Sequence, residues 1–519
     1  MNRRRAEPGP AAIAAAALLA IAAGGAQAQQ GEGAGGVSRG WALQPRVSLM
    51  QTWTDNLRLD DRNKDAALIT TLAPGISLLS NAGAVRGSLD YSLYGIAYLK
   101  SDAPSQLQNS LAANLRAEVI GDTLFVDARA NIGQQSGSAF GLQSTPTLGS
   151  RGAVSNLVNA NQHETRTLAV SPLLRGFLGP VASYELRGDA TRTAVRGATL
   201  GDSHGTGGSL RVSQRDPGVA GWWLLASTQR HKSAGGRSGN RNDFAKAGLN
   251  YRPDVDWLFT ASVGQERNDY LGGGSQDGVT GGMSVQWTPS PRTSLGADWQ
   301  HHDYGDSHAL SVQHRTARSV WHLSDTRNIT LGNIGAAGGV RSNYDQFYQL
   351  FASLEPDPVQ RDLLVRAYLQ SQGLSPDASV AGGFLSAGPS QVHSQMLGVT
   401  LQGVRSSLSL QAIRTVTSRL GENLNQGDLA NTSRVEQRSY SLTASHQLTP
   451  LWGLSLTAAR QQSAGDLASQ AMTLTSWTAN CNARLAPRLN AQLGARHSRF
   501  EGTAPYTENA VYASLTQQF

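Results

Sequence analysis

The sequence predicts an all-β protein, specifically a transmembrane antiparallel β-barrel of about 22 strands, within a range of about 18 to 24. Three observations lead to this fold class. Apolar and polar residues alternate over segments of about 12 to 17 residues, which are much longer than the usual globular strand. Tight turns and long polar links follow one another along the chain. Charged residues make up only 16 % of the 519 residues, although the mean hydropathy is −0.31.

The N-terminus has the three parts of a secretory signal peptide, which we place at residues 1–28. Three consecutive arginines at 3–5 form the positive start, and an Ala-rich apolar run over 11–23 follows. Ala26 and Ala28 occupy the small-residue positions that precede cleavage. The apolar run is far shorter than the roughly 20 residues of a membrane helix, so we expect a cleaved leader rather than an anchor.

The mature chain contains no second stretch long enough for a membrane helix, since its most apolar run, 220–226, has only the length of a strand. Residues 29–42 are rich in Gln, Gly and Ser, which predicts a flexible periplasmic N-terminus. We therefore expect residues 43–519 to form the barrel, because only helices and closed barrels satisfy their backbone hydrogen bonds in lipid.

Alternation is clearest over residues 85–100, where the odd positions are largely apolar and every charge lies at an even position. Residues 123–132 and 489–496 show the same pattern, and a polar inner face is typical of a water-filled lumen. Chain reversals occur at the following tight turns: 81–83, 121–122, 178–180, 216–218, 252–254, 288–291, 448–450 and 486–487. Longer polar links lie between them: 134–162, 197–204, 233–241, 269–277, 419–433 and 501–507. This asymmetry predicts a Gram-negative outer-membrane barrel with short periplasmic turns.

The direction of the strands allows their number to be checked. From a periplasmic N-terminus we count about fourteen strands to residue 322, and from a periplasmic C-terminus about seven back to residue 392. With these two counts, the strands on either side of the gap would not alternate in direction. An even barrel therefore needs one more strand, which we predict near 326–336. Tryptophans close to segment ends indicate interfacial girdles, with ordinary strand packing as the alternative: Trp222, Trp223, Trp257, Trp287, Trp452 and Trp477.

Residues 340–388 do not alternate. Aromatic and aliphatic residues recur at helical spacing, and Asp357-Pro358 resembles a helix start. We predict a helical hairpin inserted on the outer side, which either gates the barrel or is a packing ornament. Six side chains are its candidate gate residues: Tyr344, Phe347, Phe351, Leu363, Tyr368 and Leu369.

The last strand has the form of a signal for the barrel-assembly machinery. Val511, Ala513, Leu515 and the terminal Phe519 share one face of the strand, with Gln517 as a polar exception. We expect this face to meet outer-membrane lipid and lipopolysaccharide.

Four segments carry a resemblance to a known group: 53–57, 319–327, 355–374 and the C-terminal strand. The chain resembles the outer-membrane β-barrel proteins associated with PEP-CTERM/exosortase and exopolysaccharide gene clusters, also described as β-barrel porins. The resemblance covers essentially the whole mature chain. It implies a role in exporting or anchoring an extracellular polysaccharide, with that polymer and its periplasmic export proteins as partners.

The sequence offers no pattern typical of an enzyme, so we predict neither catalytic residues nor a cofactor or metal. His301 and His302 would point to opposite faces of a strand, and no nucleophile or metalloprotease motif is present. The net charge of +7 is spread thinly, which disfavours nucleic-acid binding. A general diffusion porin, an outer-membrane enzyme and a surface attachment protein using 134–162 remain the alternatives.

Charged residues predicted on inner faces leave two interpretations open. They could line a lumen that binds sugars or ions, or they could pair with one another along a wet wall. The residues are Arg86, Asp90, Asp127, Arg129 and Arg496. The single cysteine, Cys481, is interpreted as an unreactive strand thiol.

Overall fold

The computed structural model describes residues 41–519 with internal gaps. The gaps are 81–82, 148–153, 198–199, 201, 234–238, 272–273, 332–346, 349–350, 352–360, 362–363, 366–367, 370–382 and 422–425. The predicted leader, with Ala26 and Ala28, lies outside the described residues and stays a prediction. No helix in the described part of the chain is long and apolar enough to cross a bilayer.

The described residues form a closed antiparallel barrel of 22 strands, which confirms the predicted fold class and strand number. The first eleven strands are β1 Trp41–Thr54, β2 Ala67–Ser80, β3 Val85–Leu99, β4 Gln106–Ile120, β5 Leu124–Ser136, β6 Gln162–Leu178, β7 Ala182–Val195, β8 Ser203–Gln214, β9 Ala220–Ser233, β10 Asn240–Tyr251 and β11 Trp257–Asn268. The other eleven are β12 Gln276–Ser290, β13 Thr293–His301, β14 Ser307–Arg315, β15 Ser319–Thr330, β17 Ser390–Gln402, β18 Ser406–Arg419, β20 Arg434–Thr449, β21 Trp452–Ala464, β22 Ala471–Ala486, β23 Leu489–Glu501 and β24 Tyr506–Gln518. Two short strands, β16 Ser386–Ala387 and β19 Gln426–Gly427, pair outside the barrel, and a one-turn helix α1 (Asp428–Asn431) follows.

Barrel closure depends on the pairing of the first and last strands. β1 and β24 pair antiparallel from Arg46 with Gln518 to Thr54 with Ala510, and the Phe519 N–H donates to the Pro45 carbonyl at 3.0 Å. The sheet therefore has no free edge, as a lipid environment requires.

The prediction of a separate strand near 326–336 is wrong, although the total of 22 is right. Residues 326–330 are the end of β15, which runs unbroken over 319–330. Asp325 and Arg327 lie on the outer face of that strand, where the apolar pattern would require hydrophobic residues. These polar residues interrupt the outward apolar pattern, so alternation does not predict that the strand continues to Thr330.

The two ends of the barrel differ as predicted. Short connections such as 121–123 and 403–405 lie at one end, called here the turn end, where β1 starts and β24 finishes. The long connections 137–161, 331–389 and 420–433 join strand ends at the opposite end, called the loop end.

The outer surface of the barrel is apolar. Large side chains on this face are largely uncovered, among them Leu249 at 67 % exposed, Met283 at 69 % and Val263 at 61 %. Such a surface is costly in water, at about 25 cal/mol per Å², but not in hydrocarbon. A closed barrel with this exterior spans a bilayer, and barrels of this architecture are typical of outer membranes.

Side chains of the last strand face outward as the alternation predicted. Val511, Leu515 and Phe519 are 50 %, 48 % and 61 % exposed, and Ala513 shares their face. Trp452 and Trp477 also face outward, as a girdle would require. Trp223 is the exception, since it is buried on the inner face.

The predicted helical hairpin is not established. Tyr344 and Leu363 lie outside the described residues, and the described positions of 340–388 are too scattered to define a helix. Phe347, Phe351 and Leu369 are buried, so this insertion does pack inside the protein.

Candidate functional site: the lumen and its outer closure

One sector of the inner wall near the loop end is covered by apolar side chains. Inner-face residues of β2, β3 and β22–β24 pack there against the link between β1 and β2 and against the loop 137–161. We call this group the wall cluster: Leu57, Leu59, Ala67, Ile69, Ala73, Tyr94, Ile96, Tyr98, Ala103, Leu142, Val154, Leu157, Val158, Met472, Leu474, Phe500 and Tyr506. The polar lumen predicted for the whole barrel is therefore wrong for this part, because the loop needs an apolar wall to pack on.

Hydrogen bonds hold the loop 137–161 against the seam between β1 and β24. Asn156 Nδ2 donates to Thr52 Oγ1 at 3.1 Å, and the Tyr506 hydroxyl donates to the Gln143 carbonyl at 2.6 Å. Thr145 Oγ1 lies 2.9 Å from Ser498 Oγ on β23. A loop with these contacts is directed into the barrel, so its buried residues are not presented to a partner outside the cell.

A second apolar group joins three separate loops at the mouth. We call it the mouth cluster: Ala139, Phe140, Phe384, Leu429 and Val435. Short strands β16 and β19 pair directly beside it, and the Leu385 N–H donates to the Ser136 carbonyl at 3.0 Å. Gly421 lies against Leu271, and Gly427 lies against Leu200. Because these contacts join strands on distant parts of the barrel circumference, the loops lie across the mouth.

Asp428, at the start of α1, is the polar link of this closure. Its Oδ1 accepts a hydrogen bond from Ser138 Oγ at 2.8 Å, and its Oδ2 accepts one from the Ala139 N–H at 2.6 Å. We call these two contacts the mouth latch. Burial raises the pKa of Asp428 above its ordinary value, while the Ala139 and Ser138 hydrogen bonds oppose that shift.

We expect the latch to weaken as the pH rises. A raised pKa means that the closed mouth binds the Asp428 proton more tightly than the open mouth. The stabilisation is then fully present below the ordinary value of 3.8 and is lost as the pH rises through the raised pKa. Single-channel recordings at about pH 4 and about pH 7 should show more frequent opening at the higher pH. The variant Asp428→Asn should flatten this dependence, and an unchanged dependence in that variant would assign it to another group.

The described residues of the insertion between β15 and β17 contact the barrel wall. Its buried residues Phe347, Phe351, Val365 and Leu369 pack against Val320, which stands at the start of β15. The Tyr368 hydroxyl donates to Ser407 Oγ at 2.9 Å, at the start of β18. Both wall residues lie beside tight turns, so these described residues contact the wall at the turn end. Phe347, Phe351, Tyr368 and Leu369, four of the six candidate gate residues, thus lie together, and their role as a gate stays a prediction.

Three of the five predicted inner-face charges, Asp90, Asp127 and Arg496, form ion pairs, as the simpler interpretation proposed for them. Arg46 holds Asp90 at 2.8 Å and Arg116 holds Asp127 at 2.7 Å. Arg496 and Glu508 form a buried pair at 2.7 Å. These ion pairs make the inner wall polar, but each charge is already neutralised by its partner.

Near the turn end, arginines stack on aromatic rings of the inner wall between β5 and β9. The Arg175 guanidinium lies 4.6 Å from the Phe125 ring centre, and Arg211 lies 5.0 Å from Trp223. Arg215, in the following turn, lies 4.2 Å from Phe177. This arginine–aromatic patch presents planar cationic groups that suit carboxylates. Sequence reasoning missed it, because only the register shows that Phe125, Phe177 and Trp223 face inward.

His301 and His302 point in different directions, as the side chains of successive strand residues do. His301 Nδ1 pairs with exposed Asp306 at 2.8 Å, whereas His302 Nδ1 faces buried Glu266 at 2.5 Å. Tyr304 stacks on His302 with ring centres 4.7 Å apart. The two imidazoles therefore do not form one site.

No family model matches the chain, and no curated protein matches it. Solved structures give distant similarities. The chain is 10 % identical to the FrpB iron transporter from Neisseria meningitidis (F5-1 variant, apoprotein form), covering 93 % of this chain and 82 % of that one with a TM-score of 0.48. It is 12 % identical to the siderophore receptor PirA from Pseudomonas aeruginosa, with coverages of 92 % and 80 % and a TM-score of 0.42. The outer membrane protein opdK from Pseudomonas aeruginosa is 8 % identical, with coverages of 92 % and 99 % and a TM-score of 0.33. Similarities this low do not identify what the present chain carries.

Proposed function

We propose that the chain is a non-enzymatic outer-membrane conduit whose mouth is closed by its own loops, and that it supports export or anchoring of an extracellular polysaccharide. The mouth latch carries this proposal, because its two hydrogen bonds join loop residues beside the mouth cluster, and contacts between loops can separate without breaking the barrel. A plain diffusion porin has no need of a closed mouth.

The polysaccharide is proposed from the family resemblance, and the arginine–aromatic patch supports it. Sugar rings have apolar C–H faces that pack on aromatic side chains, and guanidinium groups bind carboxylates in two-point contacts. Phe177 is 64 % exposed and Arg215 lies over it. An acidic polysaccharide would meet both kinds of group as it enters from the turn end. The enzyme alternative is less favoured, because the inner-face acids Asp90, Asp127 and Glu508 are held in ion pairs.

Conductance in planar bilayers tests the closed conduit. We expect little current from the unmodified barrel and a clear current from Asp428→Ala, which removes both acceptors of the mouth latch. Asp216→Ala is the matched control, since Asp216 lies exposed in the tight turn after β8. A large steady current in the unmodified barrel would favour the porin instead. Absence of current in both variants would leave anchoring as the function.

Block of that current tests the cargo. An acidic oligosaccharide added on the turn-end side should reduce the Asp428→Ala current, whereas a neutral dextran of equal length should have much less effect. The added variant Arg211→Gln should weaken the block, and Arg252→Gln, an exposed turn residue, should not. Equal block by both polymers would contradict a preference for an acidic polysaccharide.

A further inference from the structure

Two histidines and an aspartate meet on the outer surface of the barrel, on the neighbouring strands β14, β15 and β17. Asp325 Oδ1 lies 3.1 Å from His308 Nε2 and 2.7 Å from His393 Nε2. Ligand atoms of all three side chains lie within 4.8 Å of one another. The imidazole ring centres are 5.5 Å apart and their planes meet at 78°.

The group lies at the border of the apolar outer surface that is nearer to the loop end. On β14 and β15, the next outward residues toward the turn end are the apolar Leu310 and Leu323. Trp299, which pairs with His308, faces outward and is 45 % exposed. Tryptophans of this kind lie at the level of lipid headgroups. An ionisable group placed there has water and headgroups on one side and hydrocarbon on the other.

We propose that His308, Asp325 and His393 bind a divalent transition metal ion of the Zn²⁺ type. Two imidazole nitrogens and one carboxylate oxygen are a ligand set that such ions favour. Tetrahedral coordination at about 2.0–2.2 Å separates ligand atoms by roughly 3.3 Å. Small rotations of the side chains therefore convert the present 2.7 and 3.1 Å contacts into a coordination sphere.

Neighbouring residues orient the carboxylate for this role. Gln395 Nε2 donates to Asp325 Oδ2 at 3.0 Å, and Arg414 Nη1 donates to Gln395 Oε1 at 3.1 Å. Oδ2 is thus held from the side of β17, while Oδ1 faces both histidines. Partners that fix a ligand in this way commonly raise metal affinity.

Three protein ligands leave one coordination position open. The side chains of His308, Asp325 and His393 are 35 %, 29 % and 31 % exposed, so that position faces the surroundings of the barrel. A bound ion there would accept one oxygen ligand from outside the chain.

Titration of the folded, metal-stripped barrel with ZnCl₂ in detergent tests the proposal. Calorimetry should give one strong site per chain, and Co²⁺ in its place should produce the visible absorption of a four-coordinate ion. The variant His393→Gln should weaken binding by at least about tenfold, and His308→Gln with His393→Gln should abolish it. His314→Gln is the control, because this outward histidine of β14 contacts Thr293 instead.

Heat-modifiable gel mobility shows that each variant is still a folded barrel. Absence of a strong site in the unmodified protein would overturn the proposal. Equal affinity in the double variant and the His314→Gln control would also overturn it and leave the three side chains as a hydrogen-bonded cluster.

Discussion

Replacing Glu508 by glutamine should lower the free energy of unfolding by about 3–5 kcal/mol. Glu508 and Arg496 are fully enclosed on the inner face, with side chains 0 % and 4 % exposed. Arg496 donates to both carboxylate oxygens at 2.7 and 3.0 Å, and Thr54 Oγ1 donates to the same carboxylate at 3.0 Å. Removing the negative charge leaves the guanidinium buried without compensation.

Urea unfolding of the refolded barrel, followed by tryptophan fluorescence, measures this loss. The control is Asp122→Asn, since Asp122 is 96 % exposed although it pairs with Arg175 at 3.4 Å. It should leave the transition midpoint unchanged. The double variant Arg496→Met with Glu508→Leu should recover much of the loss, because it removes both desolvated charges. A Glu508→Gln midpoint equal to that of Asp122→Asn would contradict the prediction.

Placing a charge in the wall cluster should open the lumen. Leu157 is 3 % exposed within that cluster, and an unpaired carboxylate there costs several kcal/mol. In the variant Leu157→Asp the loop 137–161 can avoid this cost by leaving the lumen, whereas the barrel strands keep their hydrogen bonds. A tenfold shift of the loop toward the open position needs only about 1.4 kcal/mol, so the time-averaged conductance should rise by at least about tenfold.

Val404→Asp is the matched control for that experiment. Val404 lies in the tight turn before β18 and is 90 % exposed, so a charge there should alter neither conductance nor folding. Both variants should retain heat-modifiable mobility. A folded Leu157→Asp barrel with unchanged conductance would mean that the loop does not close the lumen.

Sequence periodicity predicted the barrel well, because the direction of a strand side chain is a local property. The long strands, the turns and the outward face of Val511 and Leu515 follow from alternation, whereas the total of 22 was reached with a strand near 326–336 whose described part belongs to β15. The same rule shows where prediction failed. Tyr94, Ile96 and Tyr98 occupy even positions of β3, the inner face, yet they are apolar. These apolar inner positions near the loop end of β3 were the available signal for apolar packing inside the barrel.

Contacts between distant segments could not be predicted in this way. Asp428 and Ser138 are 290 positions apart, and each is an ordinary loop residue in the sequence. The proposed metal-binding group has one residue on each of three strands, so no short spacing in the sequence indicates it. Asp325 interrupts the outward apolar pattern of β15, but a single polar residue does not predict a metal site.

The seating of the loop 137–161 has a consequence for the order of assembly. Its partners Thr52 and Tyr506 stand on the first and last strands of the barrel, which are far apart along the chain. Both partners come within reach only after β24 has joined β1. The loop must therefore reach its final position late in folding. Once it is there, its hydrogen bonds stabilise the pairing of β1 and β24 from the inner side. A nascent barrel would stay open during construction and become sealed only when its circumference is complete.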